Sequence, residues 1–114
     1  MLFPVKLKLA HYEAEAMRQY MFRLLQLAAD PRAKNEVIII AEYFQRFDTL
    51  VRGKVFKLGK SRVGIYTIPL SVARILWFRW QQEDNGDAIQ SILGKVDYEL
   101  NAQNRVPIFP KTLI

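Results

Sequence analysis

The sequence predicts a mainly α protein: a four-helix core with a small β element. Three observations carry this. Apolar residues recur at spacings of three and four over residues 10–29, 32–52, 70–82 and 87–104, the period of an amphipathic helix. Two shorter stretches, near residues 3–9 and 62–68, alternate with period two instead. At 114 residues, 51% hydrophobic and 25% charged, the chain has the composition of one ordinary globular domain with a real core. A third short strand is expected near residues 54–58. The runner-up is a plain four-helix bundle without paired strands. Residues 1–105 are read as a single helical domain and 106–114 as an extended apolar tail.

In the first strand, Val5, Leu7 and Leu9 alternate with Lys6 and Lys8, so one face is apolar and the other basic. The first helix follows, with Ala14, Met17, Met21, Leu24, Leu25 and Ala28 as its stripe. Glu13 can reach back to the helix start, but Ala10 stands where a capping Ser or Thr would normally be. Asp30-Pro31 ends this helix, because proline biases the residue before it away from the helical region, and is expected to start the next one. The second helix carries Val37, Ile40, Phe44, Phe47 and Val51, with Ile38 projecting on its polar side. Gly53 is expected to end it in a left-handed cap, and Lys54–Ser61 with Arg62–Ile68 to form a basic hairpin.

The most apolar helix comes next. Leu70, Ala73, Leu76, Trp77 and Trp80 line one face, widened by Val72, while Ile75 and Phe78 point away from it. Asp84-Asn85-Gly86 is a turn signal, and Ile89, Ile92, Leu93, Val96 and Leu100 form the stripe of the fourth helix. An internal echo is also present. Leu7, Leu9, Ala14, Met17 and Met21 match Tyr66, Ile68, Ala73, Leu76 and Trp80 at one constant offset. Two strand-helix-helix units with paired strands would produce it.

The absence of cysteine excludes disulfides, thiolate metal sites and thiol catalysis. It fits a reducing compartment. No basic stretch followed by an apolar segment opens the chain, and the longest aliphatic run, Val37–Ala41, is far short of a membrane span. A cytoplasmic protein is expected, without a membrane partner. The formal charge of +6 permits nucleic acid or an acidic partner without selecting one.

Gly53–Ser61 ends in Gly-Lys-Ser like a phosphate loop, but five residues separate its glycines where four are needed, and a helix precedes it where a strand is required. His11 is the only histidine and cannot build a multi-histidine metal site. It is expected at a solvated helix start. The acids at Glu13 and Glu15, and at Glu83, Asp84 and Asp87, have no catalytic-pair or calcium-loop spacing. Ser61, Ser71 and Ser91 lack a nucleophile elbow. No enzyme activity, cofactor or small-molecule substrate is expected.

Two binding hypotheses remain. The preferred one is a non-enzymatic interaction or assembly protein, self-associating through Ile75 and Phe78 of the third helix and Ile108 and Phe109 of the tail. The alternative is a nucleic-acid-binding module using Arg52, Lys54, Lys57, Lys60 and Arg62, with Lys6 and Lys8 beside them if the strands pair.

Overall fold

Both period-two stretches become strands and pair with each other. The computed structural model describes residues 3–58, 63–83 and 86–104, the side chains of 55–58 and 103–104 aside. The order is β1 (Val5–Leu9), α1 (His11–Leu27), α2 (Asn35–Leu58), β2 (Gly64–Ile68), α3 (Leu70–Gln82) and α4 (Asp87–Asn104). The strands form a two-stranded antiparallel sheet in which Val5 faces Ile68, Leu7 faces Tyr66 and Leu9 faces Gly64. The alternation is strict. Val5, Leu7, Leu9, Gly64, Tyr66 and Ile68 are buried, and Lys6, Lys8, Ile65 and Thr67 are exposed. The fold is therefore mainly helical with one small β element, as the periodicity predicts.

The expected strand at residues 54–58 is not formed. α2 runs on through Leu58, and Gly53 lies inside it. The spacing of Val51, Val55 and Leu58 continues the helical stripe. A single interior glycine costs only about 1 kcal/mol relative to alanine, too little to stop a helix held by its packing. The other end of α2 also differs from expectation. Asp30 accepts a hydrogen bond from the Arg32 N–H at 2.9 Å, and the Ala33 N–H donates to the Asp30 carbonyl at 2.9 Å. The Asp-Pro pair thus closes a separate turn before the helix begins at Asn35.

All six elements contribute to one cluster of buried side chains, from Val5 and Leu7 through Phe47 and Trp80 to Leu100. Leu25, expected in the core stripe, is exposed, because the buried face of α1 drifts toward Glu13 and Tyr20. Phe44 is half-buried, its ring 5.7 Å from that of Phe22.

The internal echo is structural. The offset that takes Val5 to Gly64 also takes Leu9 to Ile68, and His11, where α1 starts, to Leu70, where α3 starts. It takes the Ala10 cap to the Pro69 cap, and both caps are extended, with ψ of 162° and 144°. All ten residues of the echo are buried. Leu7 pairs with Tyr66, which is its own counterpart, so an approximate two-fold axis passes between them. Tyr20 and Arg79 are counterparts too, and Arg79 Nε donates to the Tyr20 hydroxyl at 2.9 Å.

The second helix of each half packs on the strand of the other half: α4 on β1, and α2 on β2. Lys95 Nζ donates to the Lys8 carbonyl at 2.7 Å, and the Tyr43 hydroxyl donates to the Thr67 carbonyl at 3.1 Å. Lys8 and Thr67 are counterparts, and Tyr43 and Lys95 are each the ninth residue of their helix. The two outer edges of the sheet are thus tied at equivalent carbonyls by side chains of different chemistry.

Candidate nucleic-acid interface

The exposed face of the β1–β2 ribbon is a four-residue array in which Lys6 stands opposite Thr67 and Lys8 opposite Ile65. Strand alternation puts these four side chains on one surface, and the apolar sets beneath them fix the register. A slip of one residue would bury both lysines. Ile65 is 55% exposed and leads to exposed Val63, an apolar lip beside the basic strand.

A groove runs along each outer edge. The one beside β1 has a volume of about 420 Å³ and is lined by Lys6, Lys8, Ser91, Lys95 and Tyr98 among others. The one beside β2, about 1050 Å³, is lined by Tyr43, Arg46, Lys54, Ile65 and Thr67 among others. Glu99 and Glu42 stand on the respective walls. Among the described residues no carboxylate pairs with Lys6, Lys8, Arg46 or Lys54. Lys54 Nζ lies 5.8 Å from the centroid of the buried Tyr66 ring, so its ammonium sits close to β2.

The basic segment named from the sequence is placed differently from expectation. Arg52 and Lys54 lie on α2 and not on a hairpin, and Arg52 Nε bonds Asp48 Oδ2 at 3.0 Å. Lys57 is also on α2, its side chain outside the description, and Lys60 and Arg62 lie outside the described residues. Of the expected protein interface, Phe78 is 53% exposed, whereas Ile75 is half-buried against the core. Ile108 and Phe109 lie outside the described residues.

Two polar clusters join the halves. Glu13 is the buried charged residue of the first, at 2% exposure. It accepts hydrogen bonds from the Ala10 N–H at 2.9 Å, the Ser91 hydroxyl at 2.6 Å and Lys95 Nζ at 2.8 Å. Burial pushes its pKa up, but the bonds from Lys95, Ser91 and Ala10 outweigh this and hold it below the usual glutamate value. A carboxylate so held is a poor general base, and the cluster ties α4 to the start of α1. In the second cluster, Arg79 bridges Glu36 at 2.7 Å and Glu83 at 3.3 Å, while the Tyr20 hydroxyl donates to Glu83 at 3.2 Å. Burial raises the Tyr20 pKa, keeping the phenol neutral.

His11 is half-buried, and its Nδ1 has no hydrogen-bond partner among the described residues. No group of three His, Asp or Glu residues that could hold a metal ion occurs among the described residues. No described helix is long and apolar enough to cross a membrane. Comparison with protein-family models, with curated proteins and with solved structures gave no match.

Sequence reasoning placed Lys6 and Lys8 only as neighbours of the basic segment. It missed that Ile65 and Thr67 share their surface, and that Arg46 and Lys95 line the flanking grooves. The signal was the alternation of β1 combined with the constant offset, which together define the ribbon and its outer face.

Proposed function

We propose that this chain is a non-enzymatic duplex-DNA-binding protein that inserts the β1–β2 ribbon into the major groove. The observation that carries the reading is the exposed ribbon face, with Lys6 and Lys8 on one strand, Ile65 and Thr67 on the other, and the approximate two-fold axis at its centre. The major groove of B-DNA is about 12 Å wide and admits a two-stranded ribbon, whose strands lie about 4.8 Å apart. Lysine offers donors to guanine O6 and N7, and threonine bonds base edges through its hydroxyl. Arg46 and Lys54 beside β2 supply cations for phosphates. Solubility alone would be served as well by acids at positions 6 and 8. Duplex RNA fits less well, because its major groove is too deep and narrow for side chains to read. The cytoplasmic location expected from the sequence belongs to this proposal.

The test is fluorescence anisotropy of a labelled mixed-sequence DNA duplex. Binding at low salt is expected, with the logarithm of the association constant falling linearly with that of salt concentration. Lys6→Gln combined with Lys8→Gln should weaken it by removing base contacts, whereas Arg46→Gln combined with Lys54→Gln should flatten the salt slope by about two. No binding at low salt removes the proposal.

A second reading, self-association, is favoured by the exposure of Phe78 on α3. It requires a concentration-dependent increase in mass in sedimentation that Phe78→Ser abolishes.

A further inference from the structure

Resting on the DNA-binding reading, we infer that the preferred site is not palindromic but strand-biased, with guanines on the DNA strand facing β1 and thymines on the strand facing β2. A ribbon built from two identical strands shows the same residues on both sides of its axis, and so reads a site with matching symmetry. This ribbon keeps the axis but not the identity. The offset that superposes the halves takes Lys6 to Ile65 and Lys8 to Thr67. Both ribbon cations therefore belong to β1, and β2 presents methyl groups and one hydroxyl.

The cross-strand register sharpens the point. Lys6 is opposite Thr67 and Lys8 opposite Ile65, so each end of the ribbon carries one lysine and one methyl-bearing side chain. Residues two apart on a strand are separated by about 6.8 Å, close to two base-pair steps. When the ribbon lies along the groove, β1 faces the base edges of one DNA strand and β2 those of the other. Lysine selects the O6 and N7 acceptors of guanine, while Ile65 and the Thr67 methyl pack on the 5-methyl group of thymine. A guanine under a lysine pairs with cytosine, so the thymines met by Ile65 and Thr67 lie on neighbouring base pairs, and their adenine partners keep the strand facing β1 rich in purines. The edge ties follow the same division, a lysine on β1 and a tyrosine on β2, and leave the exposed face clear because both bond backbone carbonyls.

The experiment is repeated selection from a random DNA duplex library with the wild-type chain, run in parallel with the double variant Ile65→Lys, Thr67→Lys. Both substituted positions are exposed, and equal thermal melts establish that the variant folds. The wild type should enrich a motif without dyad symmetry, guanines on one strand and thymines on the other. Exchanging one selected guanine for adenine should weaken binding by about tenfold. The variant, with lysines at counterpart positions on both strands, should enrich a more symmetric motif with guanines on both DNA strands. A palindromic wild-type motif, or salt-dependent binding with no enriched motif, overturns this inference and leaves the DNA-binding reading standing. No binding to any duplex at low salt overturns both.

Discussion

Replacing Glu13 by alanine should destabilise the fold by about 3 kcal/mol. The side chain is 2% exposed and accepts bonds from three donors on two segments of the chain, the start of α1 and α4. The Ala10 N–H contact is half of a capping box, worth about 1 kcal/mol. Hydrogen bonds to a buried charge contribute about 1.5–3 kcal/mol each when their donors have no other partner. Here the sum is smaller. The Lys95 side chain is 40% exposed, so water replaces part of what it loses, and the ion pair is partly screened. Ser91 can likewise turn to solvent. Lys95 keeps its bond to the Lys8 carbonyl in the variant, which further limits the loss. Equilibrium urea unfolding reads the effect. With a slope near 1.5 kcal/mol per molar, the midpoint should fall by about 2 M. Glu13→Gln keeps the shape and one acceptor, and should cost about half as much. A Glu13→Ala variant within 0.5 kcal/mol of wild type would refute the reasoning. A Glu13→Gln variant as stable as wild type would show that the charge, placed here at the centre of the cluster, contributes nothing.

Stability should also fall at acid pH. Burial works against the Glu13 charge, but the Lys95 and Ser91 bonds prevail, and at Glu15 the Arg18 bond is the leading cause; both folded pKa values lie below the ordinary glutamate value. Their contribution is therefore present above the unfolded-state pKa and is lost as pH falls through the depressed folded values. Thermal melts from pH 6 down to pH 2 should show the decline, and Glu13→Gln should flatten it. Gly53→Ala should stabilise the chain by about 0.5–1 kcal/mol in urea unfolding, because the added methyl meets nothing within 4 Å and the position is interior to α2. A left-handed cap at Gly53 would reverse the sign. Tyr43→Phe removes the bond to the Thr67 carbonyl and should cost about 1 kcal/mol by the same method, with the core unchanged. Phe78→Ser should change stability by no more than about 0.5 kcal/mol, since the ring is mostly exposed.

Much of the architecture was legible in the sequence because burial leaves a period. β1 and β2 are read from alternation alone, and the stripes of α1 to α4 from spacings of three and four. The echo was legible as well, since Leu7, Ala14 and Met21 and their counterparts fill equivalent core positions in both halves. Two things were not. Gly53 carries the signal of a helix end, whereas a contact just past it, Lys54 Nζ over the Tyr66 ring, is made to a strand further along the chain. The candidate site was read along the chain, as a run of cations from Arg52 to Arg62, whereas the array Lys6, Lys8, Ile65 and Thr67 is assembled across strands distant in sequence. Glu13 looked like a weak helix cap. Its partners Ser91 and Lys95 come from α4, and no local pattern announces them.

The most direct test of the ribbon is an NMR titration of isotopically labelled protein with a DNA duplex. The amide signals of Lys6 to Lys8 and Ile65 to Thr67 should shift most, with those around Arg46 and Lys54 next. Shifts confined to α3 around Phe78, or an unperturbed ribbon while DNA is bound, would contradict the account.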